Sequence, residues 1–306
     1  MKRILIVYYT QTGQLKNVLD SLVEPFQNDP EIELVWEEIK PITPFPFPWP
    51  TVDFFDVMPE CVADKPIPIQ PLQVAGQKFD LIILGWSPWF LSPSLPTISL
   101  FHLPETAELF RGTPVVTINA CRNMWIGAQE KIKAKLHHFG ANLVGNIVLE
   151  DKQHNLISVL TVIGWLIKGK REKYWGFLPK AGVSDQDIKY TSKFGEAVKE
   201  ALTNKTWKRL QLKLLGLGAV KVKPNLMLLE LRGAKIFKFW EHFISSKGGP
   251  GSATRRPRVV LYSWLLPIGI FVLSPIISVI AKVISLLFSK KISPMIAYYQ
   301  GVIYKV

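Results

Sequence analysis

Residues 4–7 (Ile-Leu-Ile-Val) form an unbroken apolar run, and after a short polar turn Leu15, Val18, Leu19, Leu22, Val23 and Phe26 recur at helical spacing. A strand of that kind has no polar face, so it must be covered on both sides, as in a parallel sheet with helices packed above and below. The pattern returns along the first half of the chain. Residues 80–85 and 114–119 read as buried strands, and Ala128, Ile132, Leu136 and Phe139 mark a helix before a further strand at 141–150. Residues 31–38 alternate apolar and charged side chains and read as an edge strand. The alternation of buried strands and helices predicts an α/β fold with a doubly wound, five-stranded parallel sheet.

Such sheets bind ligands at the carboxyl ends of their strands. The loop after the first strand is Tyr8-Tyr9-Thr10-Gln11-Thr12-Gly13-Gln14-Leu15. Its two hydroxyls and glycine stand where a helix begins, and the unpaired backbone N–H groups there favour an anion such as phosphate. A plain strand-to-helix turn is the competing reading. After the third strand comes Trp86-Ser87-Pro88-Trp89-Phe90, whose two tryptophans suit either stacking on a ligand or filling core space. The fourth strand ends at Asn119, and after it come Ala120, Cys121, Arg122 and, three residues on, Trp125. Between the second and third strands lies a proline-dense insertion, about 40–77, whose Phe45, Phe47, Trp49, Phe54 and Phe55 predict a packed cover.

Charge divides the chain. Residues 1–150 carry 11 Lys and Arg against 16 Asp and Glu, a net of −5; residues 151–306 carry 26 against 8, a net of +18. Ser184-Asp185-Gln186-Asp187 has the look of a capping box before the closing helix of the sheet domain. The expected organisation is a sheet domain over 1–203, with insertions at about 40–77 and 151–183, and a basic, apolar membrane-associating region over 204–306. Within the latter, residues 206–217 read as an interfacial amphipathic helix. Residues 259–281 are 23 consecutive uncharged residues, longer than the ~20 needed to cross a bilayer, with Pro267 and Pro275 offering a re-entrant alternative and a buried core helix a third reading. Nucleic acid is set aside as a partner, because apolar runs rather than aromatic platforms separate the basic residues. Cys61 and Cys121 make neither a disulfide framework nor a metal-ligand spacing, and no signal-peptide pattern is present, so a cytoplasmic setting is expected.

Thr10-x-Thr12-Gly13-x-x after a first strand resembles the FMN-phosphate loop of flavodoxin-like proteins, with Leu15 replacing a frequent hydroxyl residue, and Gly85-Trp86-Ser87-Pro88-Trp89 is similar to their first flavin-ring loop, shifted by one residue. The resemblance implies FMN held by Thr10, Gln11, Thr12, Gly13, Gln14, Leu15, Ser87, Pro88, Trp89, Phe90, Asn119, Ala120, Cys121, Arg122 and Trp125. More narrowly, this loop, the insertion ending in Phe54-Phe55-Asp56-Val57-Met58-Pro59-Glu60 and the basic apolar C-terminus look like bacterial dialkylresorcinol-condensing enzymes. That likeness implies oxidation of a lipid-like dialkyl cyclohexanedione to a resorcinol, a ketosynthase partner, and a place on the cytoplasmic face of a membrane held by residues 259–281. A flavodoxin-type electron carrier, an NAD(P)H:quinone reductase and a flavin-free membrane-anchored scaffold are the alternatives. No catalytic base is singled out; His102, His137, His138 and Asp56 are candidates by residue type alone.

Overall fold

Strand β1 (Lys2–Tyr8) is fully buried from Ile4 to Val7, and the helix that follows, α1 (Gln14–Val23), turns Leu15, Val18, Leu19 and Leu22 onto it. The computed structural model describes residues 1–305; Val306 and the side chain of Ser274 lie outside the described residues. Next come β2 (Ile32–Glu38), the short helices α2 (Thr51–Asp56) and α3 (Met58–Val62), and β3 (Leu81–Trp86). A two-residue hairpin, β4 (Pro88–Trp89) with β5 (Ser92–Pro93), leads to α4 (Leu95–Leu100), α5 (Pro104–Phe110) and β6 (Pro114–Cys121). The sheet closes with α6 (Ile126–His138) and β7 (Asn142–Glu150).

All five long strands are parallel and lie in the order β2-β1-β3-β6-β7. Counting only these strands, this is 2-1-3-4-5, the flavodoxin-like doubly wound order. The winding reverses between β1 and β3, so the loops leaving their carboxyl ends diverge and open a crevice there. The expected strands are all present, each extended or trimmed by a residue or two.

The remaining helices are α7 (Asn155–Lys168), α8 (Asp185–Lys189), α9 (Ser192–Asn204), α10 (Trp207–Gly216), α11 (Pro224–Ser245), α12 (Arg256–Leu287) and α13 (Ser289–Gln300). Ser184 caps α8 as its sequence suggests, accepting a hydrogen bond from the Asp187 N–H. Helix α10 corrects the expectation of an interfacial helix at 206–217. Its Leu210 and Leu214 are buried in the main core over β7, where Gly145 leaves them room, and Ala219 beyond it accepts from the Val148 N–H. The edge of β7 is thereby covered, which removes an exposed template for strand pairing. Met227 of α11 and Ile292 of α13 join the same core, so residue 203 does not separate two bodies of packing.

Helix α12 runs unbroken through Pro267 and Pro275, which corrects the re-entrant alternative. Each proline removes one backbone donor and leaves the ladder intact on either side, while α11 packs along its length. Its start is buried through Val259 and Tyr262 against the insertion and α11, and near its end Ala281 is buried and Ile284 packs on the main core. Between them Trp264, Ile268, Val272, Ile276 and Val279 face outward, each more than half exposed.

Helix α9 returns to lie beside α1, with Gly195 at the crossing. A Cβ there would stand 1.9 Å from the carbonyl oxygen of Leu22, an immovable backbone atom. Gly195→Ala should therefore lower unfolding free energy by about 1–3 kcal/mol, read as a drop in the urea midpoint at unchanged slope.

Candidate functional site

The turn between β1 and α1 is built for an acceptor. Gly13 adopts φ 79° at the N-cap of α1, a left-handed conformation that suits glycine, and no side chain caps the helix. Only Thr12 Oγ1 comes near, at 3.5 Å from the Gln14 N–H, so the first-turn donors remain available. Thr10, Gln11 and Thr12 line a cavity of ≈ 260 Å³ above this turn. The Gln14 side chain is committed elsewhere. It donates to Val183 O at 3.1 Å and accepts from Val183 N at 3.0 Å, clamping the 181–183 segment, so it offers a ligand only its backbone. Leu15 is core-packed and gives the cavity an apolar contact where a hydroxyl was missing.

The second wall is the β4–β5 hairpin. Ser87, Pro88, Trp89 and Phe90 line the cavity, whereas Trp86 is wholly buried inside the sheet. Of the two tryptophans, then, Trp89 lines the cavity and Trp86 lies in the core. The hairpin turns through Phe90 and Leu91 at φ 50° and 60°, positions normally filled by Asn-Gly. Bulky residues are strained there, and packing holds them: the Phe90 ring lies 5.2 Å from Phe54 and 6.4 Å from both Phe55 and Phe237. The proline-rich insertion is the cover its aromatics predict, with Phe45 and Trp49 at 5.2 and 6.0 Å from Trp89. Gln11 ties that cover to the first loop by donating to Pro46 O at 3.0 Å.

The third wall comes from Ala120, Cys121 and Arg122 after β6. Asn119 and Trp125 do not reach the cavity. Asn119 is enclosed in the sheet beside Trp86, and Trp125 is turned inward to donate from its indole to Glu150 at 3.0 Å. Burial pushes the Cys121 thiol well above its usual range, which disfavours the thiolate. Burial also lowers Arg122 to about 10, still cationic at neutral pH. Its Nη1 donates to Asn155 Oδ1 at 2.6 Å and to Asn155 O at 3.0 Å, and among the described residues it has no carboxylate partner.

Two further walls were not foreseen as site. Helix α7 brings Val159, Val162, Ile163 and Leu166, and α12 brings Leu266 and Ile270. The only sequence signal for α7 is its long uncharged run, which reads equally as any buried helix. Beyond Pro88, Phe90, Arg122, Leu266 and Ile270, which both cavities share, opens a second cavity of ≈ 440 Å³ between α11 and α12. Among the described residues no Asp, Glu, Lys or His lines either cavity, so Arg122 is their one charge. The four candidate bases are all elsewhere. Asp56 receives Arg255 at 2.8 Å, His102 lies 3.8 Å from Asp64, and His137 and His138 pack on Tyr304 and Phe139.

The donor set is thus helix N–H groups, Thr and Gln side chains and one guanidinium, with aromatic and aliphatic walls. That chemistry fits a group with a phosphate at one end and a flat ring at the other. Of the buried side chains that leave a polar atom without a hydrogen-bond partner among the described residues, Trp86 and Asn119 each stand immediately before a cavity-lining residue.

No protein-family model and no curated protein matches the chain. Solved structures similar to it include a flavoprotein in complex with FMN from Lactobacillus acidophilus NCFM, 16% identical over 48% of this chain and 93% of that one, with a TM-score of 0.38. A flavodoxin from the domain Archaea is 11% identical over 66% and 99%, TM-score 0.36, and the flavodiiron protein from Giardia intestinalis 11% over 67% and 38%, TM-score 0.34. The fold assignment rests on the strand order itself.

Beneath the third wall, Glu230 of α11 accepts the Gly127 N–H at 2.7 Å and so holds the start of α6. Burial raises its carboxyl to about 7. The folded chain therefore binds a proton that the unfolded chain releases near pH 4.5, and stability from this group is present below that pH and lost as pH rises through about 7. Glu230→Gln should flatten the fall in unfolding free energy between pH 5 and 8 by on the order of 2–3 kcal/mol, measured by denaturant titration at several pH values.

Proposed function

We propose that this protein is an FMN-dependent oxidoreductase that works on a lipid-like molecule at a membrane surface. The observation that carries the reading is the convergence of three loops, after β1, β3 and β6, on one aromatic-walled cavity at the β1/β3 reversal, the place where flavodoxin-like sheets hold FMN. Thr10, Thr12 and the N–H groups at Gly13 and Gln14 would take the phosphate, and Trp89 would stand against the ring. When bound, FMN supplies a two-electron acceptor for a hydride from a substrate C–H.

The finer reading is oxidation of a dialkyl cyclohexane-1,3-dione to a dialkylresorcinol, a net loss of one hydride and one proton from the ring. A cyclic 1,3-dione is acidic enough to ionise near neutrality, so its site needs a cation for the enolate oxygen more than a strong base. The residues fit that requirement: among the described residues Arg122 is the only charge lining the cavities, and it forms no ion pair with a carboxylate. Phe54, Phe55, Trp89 and Phe90 would keep water away, which strengthens the guanidinium's pull on an oxyanion.

Membrane association rests on α12. By length and composition Arg256–Leu273 could cross a bilayer, and 11% of it is buried in the protein. Because α12 is fastened to the domain near both ends, we read it as lying in the interface with its apolar face in lipid, on the cytoplasmic side. Arg256 before the exposed face and Lys282, Lys290 and Lys291 after it would each add roughly 1 kcal/mol at an anionic surface.

Two outcomes are expected. Purified wild-type protein should carry FMN absorbance, and Thr12→Ala with Gly13→Val should lose it, because one change removes a hydroxyl and the other puts a β-branched residue at positive φ; stoichiometric flavin in the double variant would sink the phosphate-loop assignment. In fractionated cells the protein should stay in the membrane pellet in high salt and leave it in detergent, whereas release by salt alone would reduce the attachment to charge.

A further inference from the structure

The second cavity is larger than the first and different in kind. Apart from Arg122 and Asn155 at its inner end, its walls are apolar side chains and glycines. Its outer end opens onto the exposed face of the helical hairpin, for Ile236, Leu265 and Leu273 line the cavity and are yet 51%, 42% and 51% exposed. An apolar space of ≈ 440 Å³ that is open to solvent carries a hydration cost unless something apolar fills it.

We propose that this cavity is an alkyl-chain site that takes one chain of an anionic amphiphile, with the head oxygen on Arg122 and the tail running between α11 and α12 to the membrane-facing surface. Three features specify that occupant. Asn155 takes one nitrogen of the guanidinium, and Arg122 lines both cavities without an ion pair to a carboxylate among the described residues, so an oxyanion in the cavity would have a direct partner. Apart from Arg122 and Asn155, the described residues lining this cavity are apolar or glycine, which suits methylenes and gives a second polar end no partner there. And the wall contains Gly233 and Gly269; at Gly269 a Cβ would meet no atom within 4 Å, so the helix keeps open space toward the tail where a better helix former would fit. The inference rests on the proposed lipid-like substrate, one alkyl chain of which would occupy this space while the ring reaches the first cavity past Phe90.

The test uses the full chain in membranes and a palmitic-acid analogue carrying a mid-chain diazirine near the carboxylate, with labelled peptides mapped by mass spectrometry. Wild-type protein should be labelled on cavity residues such as Phe237 and Ile270 as well as on outward residues such as Trp264. Gly269→Phe should cut cavity labelling roughly tenfold and leave outward labelling unchanged. Arg122→Gln should cut cavity labelling by the acid about tenfold but not by the corresponding diazirine alcohol. Labelling confined to outward residues in wild type, or cavity labelling untouched by Gly269→Phe, overturns the site; an equal effect of Arg122→Gln on acid and alcohol overturns the head-group assignment. Flavin absorbance on the same samples separates the two readings. Loss of cavity labelling with flavin present defeats this inference alone, and cavity labelling in a protein that never carries flavin defeats the FMN reading alone.

Discussion

Arg255 holds together the parts of this protein that a plain doubly wound sheet does not have. It is wholly buried at the start of α12, with Nε on Asp56 Oδ1 at 2.8 Å and Nη1 and Nη2 on the Glu60 carboxylate at 2.8 and 3.1 Å. Asp56 and Glu60 belong to the proline-rich insertion, so one guanidinium joins the aromatic cover to the apolar helix. Nη2 also donates to Asp56 O, and the remaining Asp56 oxygen accepts the Gly251 N–H, leaving few polar atoms unpaired. A buried cluster of this kind adds little net stability against an apolar substitute, yet loss of one partner costs about 3–5 kcal/mol. It is better understood as fixing which surfaces meet.

What meets there is the site. The cover lies over the crevice at the sheet reversal, and α12 lies beside it, so Phe54 and Phe55 from one and Leu266 and Ile270 from the other enclose the same space. The strained turn at Phe90 and Leu91 is held in that enclosure. Phe90 lines both cavities and Leu91 the second, and the positive φ angles are held by the packing of Phe54, Phe55 and Phe237 around the Phe90 ring. A helix N-terminal turn at one end, aromatic walls in the middle and Arg122 beside an apolar channel make a gradient of polarity along the two cavities.

Much of this was legible in the residues. Strand runs such as residues 4–7 and 80–85 can be satisfied only by burial on both faces, and the hydroxyl turn before α1 declares itself by composition. Ser184 announces its helix cap. Other readings failed where a local pattern had more than one partner to choose from. Residues 206–217 are amphipathic whether their apolar side faces lipid or β7, and the exposed edge of β7 with Gly145 decided for the protein. Trp86 and Trp89 are equivalent as letters, but strand alternation turns the first into the sheet and the hairpin lifts the second over the crevice. Asp56 looked available as a base until a charge 199 residues away claimed it.

The sequence by itself determined the sheet, its crossover helices, the phosphate-suited turn and the existence of a long apolar helix, because these follow from periodicity, backbone sterics and turn chemistry within a few tens of residues. Only the tertiary structure decided what the long helix packs against, that α7 and α12 wall the cavity, and that among the described residues Arg122 is the one charge lining it. Those facts depend on contacts between residues far apart in the chain, where apolar side chains are interchangeable by area and the choice among partners is made by shape and by the pairing of a few buried charges.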